Sequence, residues 1–188
     1  MQTSAAEHGA SFEPDLVLCF PYENDIWWNA RADYLGTPKP LYDAQGELHK
    51  EHVVVREQGW LGRTALGHLF SAKPAPMLVE VEGKRLLADF LPLLASPRPE
   101  VLEAEARTRG ALLALQRTCT SLGAELVIVP IPSHSAIDPG FRSTVFEPRY
   151  LTGMTPAEWS PDRPVDFFLG CARELGLASI DTRDALRS

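Results

Sequence analysis

Cysteine is scarce in this chain. Its 188 residues include three cysteines, Cys19, Cys119 and Cys171. Each lies in an apolar segment and no CxxC spacing occurs. Buried free thiols are therefore expected, not disulfides or a zinc site. No apolar run approaches the roughly 20 residues of a membrane-spanning helix. The opening MQTSAAEHGA has neither a basic nor an apolar stretch, which excludes a signal peptide in that segment. A cytoplasmic location is expected of the sequence as written. Positive charge is scarce: 18 Lys and Arg against 25 Asp and Glu give a net charge of −7. With no basic stripe, neither a nucleic acid nor a membrane is expected as a partner. Repeats and low-complexity tracts are missing as well.

What remains is ordinary globular composition, 45% hydrophobic and 23% charged, enough for one domain over residues 1–188. Three short apolar runs read as strands buried on both faces: Asp15–Phe20, Glu125–Ile131 and Leu177–Asp181. Helical patterns precede the second and third. Leu112, Leu115, Cys119 and Leu122 recur at helical spacing within Pro99–Leu122, and Gly123 supplies the stop. Val165, Phe168, Leu169, Ala172 and Leu175 form one face of a second helix ended by Gly176. Helix, glycine, strand, twice over, predicts an α/β fold with a parallel sheet.

Residues 36–98 break that rhythm and read as an insertion within the domain. Hairpins are expected at Ala44-Gln45-Gly46 and Glu82-Gly83-Lys84. Between them, Leu61, Ala65, Leu66, Leu69 and Phe70 fall on one face of a short helix. Residues 132–164 form a long connection rich in Pro, Ser and Thr. Such connections at the C-terminal ends of strands often carry function.

The stretch PDLVLCFPYENDIWWN (14–29) carries the strongest functional signal. An apolar strand there runs straight into Tyr22-Glu23-Asn24-Asp25 and two tryptophans, at the sheet end where ligands sit in open α/β folds. Together with GAELVIVPIPS and CARELGLASIDTRDALR, it resembles the later part of SGNH/GDSL-type hydrolases. The resemblance runs from about residue 12 to the end of the chain. It implies a flavodoxin-like three-layer α/β/α fold in which the three strands correspond to the family's strands 3-4-5. It also implies that Asn24 donates to an oxyanion hole, with Glu23 where the family usually has Gly and Asp25 matching the family's Asp. The implied substrate is a small-molecule or carbohydrate ester, O-acetylated carbohydrate above all, and no cofactor or metal is called for. The family's Gly-Asp-Ser and Asp-x-x-His blocks do not occur in this sequence. On the resemblance, the chain spans the part between them. An acyl-ester hydrolase or O-acetyltransferase is thus expected of the complete form, and an inactive chain alone, because the chemistry needs a hydroxyl activated by an oriented imidazole. The alternative is a non-catalytic binding or interaction module. In the family's 2-1-3-4-5 strand order, the strand at 15–20 would lack a neighbour. Self-association or a partner strand is therefore expected at that edge.

Other residues carry competing readings. Ser133 and His134 follow the second strand and point to opposite faces if extended. They read as a loop lining the cleft, with a substrate contact as the sharper alternative. Trp27 and Trp28 read either as a stacking platform for sugar rings or as one core residue beside one cleft wall. Glu23 and Asp25 sit too close on one loop to flank a glycosidic bond from opposite sides. His49 and His52 read as surface residues, His68 as a packing residue and His8 as part of a mobile N-terminus. Asp181 reads as a helix N-cap for Thr182–Arg187.

Overall fold

The computed structural model describes residues 9–34, 37–49 and 77–187. Strand β1 (Leu16–Cys19) leads into helix α1 (Glu23–Asn29) and a short hairpin of β2 (Asp33–Tyr34) and β3 (Thr37–Pro38). A second hairpin, β4 (Leu78–Val81) and β5 (Lys84–Leu87), runs into a 3-10 turn at Ala88–Leu93. Helix α2 (Pro99–Ser121), β6 (Glu125–Ile128), helix α3 (Arg163–Glu174), β7 (Ala178–Ser179) and helix α4 (Arg183–Arg187) follow. The expected helix around residues 61–70, His52, His68 and His8 lie outside the described residues.

The main sheet is parallel, in the order β1-β6-β7, with Leu16 opposite Glu125 and Cys19 opposite Ile128. Parallel neighbours need a crossover, and α2 supplies the one between β1 and β6. Arg98 is extended, as a residue before proline prefers, and Pro99 opens the helix where its missing N–H costs nothing. Val101, Ala104, Thr108, Leu112 and Cys119 bury one stripe of it. Gly123, at φ +74°, stops it. Helix α3 buries Val165, Phe168, Cys171 and Ala172, and Gly176 at φ +67° ends it in the same way.

Both helices pack on one face of the sheet. Val17, Cys19, Leu126 and Ile128 meet Ala104, Leu112, Phe168 and Cys171 there, with Ile26 of α1. The other face differs from the expectation of strands buried on both sides. Leu16, Leu18 and Phe20 are 50, 47 and 49% exposed, and Ile180 is 52% exposed. An unbroken apolar run states that both faces are apolar, not that both are covered. The parallel α/β arrangement is present. Among the described residues, no layer covers this outer face of β1.

A second core forms around the hairpin of β4 and β5. Leu86, Leu91, Leu93, Phe146 and Trp159 pack there against Trp27 of α1. Its tight turn needs positive φ at Glu82 (51°) and Gly83 (78°), the geometry of a two-residue hairpin loop. The expected turn at Ala44-Gln45-Gly46 also forms, bridged by Tyr42 and Leu48. It packs so closely on α2 that a Cβ on Gly110 would lie 1.7 Å from the Asp43 carbonyl oxygen.

Candidate functional site

The polar residues after β1 form the first turn of α1, not a loop. Tyr22 stays extended as the N-cap residue, and its backbone N–H donates to the Asp25 carboxylate at 2.7 Å. Asp25 thus closes the helix start, the reach-back half of a capping box. The seven residues of the helix then divide five ways, with Glu23 set apart from the rest. Ile26 enters the α2–α3 core, while Trp27 enters the β4–β5 core at 3% exposure. Asp25, Trp28 and Asn29 line a cavity, and Asn24 remains partly exposed.

Glu23 faces the loop after β6. It is 5% exposed, and one of its carboxylate oxygens has no partner. Burial pushes its pKa up to about 7, and hydroxyls of Ser133 and Tyr22 directed at the carboxyl pull it back only part of the way. Nearby Asp89 raises it further. Ser133 and Ser135 are both buried and share a 2.9 Å hydroxyl–hydroxyl hydrogen bond. Two arginines fix the backbone here. Arg142 Nε donates to the Ser135 carbonyl at 2.7 Å, and Arg187 Nε to the Ala136 carbonyl at 3.0 Å. The β1–β6 pairing thus brings Glu23 and Ser133 together at the C-terminal end of the sheet.

His134 does not join them. It opens a helical turn (His134–Ile137), stacks on Phe141 at 3.9 Å between ring centres, and holds Nε2 3.5 Å from Asp138. Its side chain is exposed, whereas Ser133 and Ser135 are buried. No serine–histidine hydrogen bond occurs among the described residues. Asn24 is partly exposed and makes no side-chain hydrogen bond among the described residues.

The two tryptophans part company. Trp27 lies in the core with Arg31 stacked 4.0 Å above its ring. Trp28 donates its indole N–H to Asp89 at 2.7 Å and meets Tyr34 edge to face. It forms one wall of a cavity of about 420 Å³ lined also by Lys39, Tyr42, Leu112 and Phe168. Sequence reasoning passed over Tyr34, Lys39, Tyr42 and Asp89. Two tyrosines flanking a Pro-containing turn were the available signal for the first three, while Asp89 had none. Asp181 accepts from the backbone N–H of Arg183 at 3.0 Å, at the start of α4.

No group of three or more His, Cys, Asp or Glu able to hold a metal occurs among the described residues. No helix among them is long and apolar enough to cross a membrane. No family model, no curated protein and no solved structure matches the chain.

Proposed function

We propose that the chain is the oxyanion-side part of an SGNH/GDSL-like acyl-ester hydrolase or O-acetyltransferase acting on acetylated carbohydrate. What carries the reading is one arrangement: a parallel strand delivers the partly exposed Asn24 to the sheet end where Ser133 and Glu23 also meet. Ligands bind at that end in open parallel sheets. Asn24 is the oxyanion donor. Trp28 and the Glu23–Ser133 contact hold the wall beside it, and Asp25 fixes the helix that carries it. In the full machine a further strand pairs with β1, and a third layer covers Leu16, Leu18 and Phe20, completing the three-layer fold.

Among the described residues, none makes an activated nucleophile. Ser133 is buried and directed at a carboxyl, and His134 stacks elsewhere. In the family the nucleophile and its base belong to Gly-Asp-Ser and Asp-x-x-His blocks, neither of which occurs in this sequence, so on this reading the chain alone does not turn over esters. A serine-directed phosphonate tests this on the gene's full-length product, with p-nitrophenyl acetate as substrate. The label should map to a serine outside the chain, in a Gly-Asp-Ser block, and abolish turnover. Labelling at Ser133 or Ser135 would overturn the assignment.

A second reading rests on the apolar outer face of β1. An edge strand with open N–H and C=O groups beside half-exposed Leu16, Leu18 and Phe20 suits a binding module. Its occupant would be a partner strand or a second copy of the chain.

A further inference from the structure

The 420 Å³ cavity lies on the opposite side of the sheet from that exposed face. Its lining includes Cys19, Leu112, Leu115 and Phe168, all packed in the α2–α3 core. Its volume falls within the range of small-molecule sites, about 300–1,000 Å³. A dry engineered cavity of about 150 Å³ accepts benzene, so this one has room for two fused rings or a medium-length chain. Burial pushes the Cys19 thiol up to about 11, so it stays neutral and belongs to the apolar floor.

Trp28 and Tyr34 form an edge-to-face pair 5.0 Å apart, and the bond from Trp28 to Asp89 fixes the indole. A wall locked before binding loses little freedom when a ligand arrives. Polar side chains line part of the cavity: Asp25, Asn29, Tyr34, Lys39, Tyr42 and Thr108. Among the described residues, one cation and one carboxylate line it, Lys39 and Asp25; burial pushes the Lys39 pKa down and Asp25 and Asp33 offset this only in part, while Asn29 also lines the wall. Facing one charge of each sign, a charged ligand gains no net attraction while it loses its hydration. An uncharged ligand avoids that cost.

We propose that this cavity binds an uncharged apolar group, an aromatic ring system or a medium-length chain, carrying one oxygen that hydrogen-bonds the Asn29 amide. Asn24 does not line the cavity, although Asp25 and Trp28 of the same helix do, so the site adjoins the one in the ester-hydrolase reading without using its oxyanion donor.

The test is a fluorescence titration of the chain with N-phenyl-1-naphthylamine, an uncharged probe that brightens in apolar surroundings. Saturable binding at one site per chain is expected. Decanol should displace the probe, with decanoate and decyltrimethylammonium at least about ten-fold weaker. Ala111→Trp, which fills the cavity, should weaken binding at least about ten-fold, and Leu115→Gln should do the same by making a wall polar. Leu18→Ser, on the opposite sheet face, should leave it unchanged. Absence of saturable binding would overturn the proposal. So would loss of binding in Leu18→Ser with retention in both cavity variants, or displacement by decanoate as strong as by decanol.

Discussion

The Trp28 indole N–H donates to the Asp89 carboxylate at 2.7 Å, across 61 positions of sequence. This bond ties the helix carrying Asn24 to the turn that follows the β4–β5 hairpin. Asp89→Ala removes a partly buried hydrogen bond to a charged group, worth about 1.5–3 kcal/mol. Urea unfolding should show a loss of that order. Asp89→Asn, which keeps an acceptor, should recover most of it. Equal losses in the two variants would mean that Asp89 acts through its charge instead.

Gly110 and Gly83 predict opposite patterns from the same substitution. At Gly110 a Cβ would meet the Asp43 carbonyl oxygen at 1.7 Å, so Gly110→Ala must push the 42–48 turn off α2. Overpacking of this kind costs about 1–3 kcal/mol or more. Displacement of the turn should show as changed proton chemical shifts at Tyr42. At Gly83 nothing lies within 4 Å, but φ is +78°. Gly83→Ala should cost only the left-handed strain, about 1–2 kcal/mol, with no displacement of its surroundings.

Glu23 predicts a pH dependence of stability. Its pKa is raised by burial from 4.5 to about 7 in the folded chain, so the folded state holds a proton that the unfolded state releases first. The stabilisation is complete below pH 4.5, falls as pH rises towards 7, and is gone above it. A tenfold change in proton affinity is worth about 1.4 kcal/mol, so the fall is on the order of 3 kcal/mol. Glu23→Gln, always uncharged, should flatten that slope and exceed the wild type in stability at about pH 8, above the folded-state pKa. Asp25 also titrates upward, so the difference between the two proteins is the quantity to measure, by thermal unfolding at a series of pH values.

The outer face of β1 predicts association. Phe20→Ser removes a half-exposed aromatic ring, so it should cost little stability and reduce self-association in sedimentation velocity. A wild-type chain that stays monomeric at high concentration would show that this face needs no partner.

The helices and glycine stops of the α/β frame were legible because a periodic stripe such as Leu112, Leu115, Cys119 and Leu122, closed by Gly123, has no competing reading. The uncovered face of β1 was not, because an apolar run carries no record of what packs on it. Asn24 stood out at a strand end, but its surroundings did not. Glu23-Asn24-Asp25 reads as a polar loop until Ile26 and Trp27 are seen to anchor it as a helix. The 132–164 connection hides helical turns, including a π-type turn at Arg142–Phe146, too short to show periodicity. The pairing of Glu23 with Ser133 depends on β1–β6 register across about 110 residues, which no local pattern encodes.

The proposed oxyanion role of Asn24 is tested most directly by kcat for p-nitrophenyl acetate in the gene's full-length product. Loss of one oxyanion donor costs about 10²–10³ in kcat in known cases. Asn24→Ala should therefore lower kcat by that factor with KM little changed. An unchanged kcat in Asn24→Ala would contradict the account.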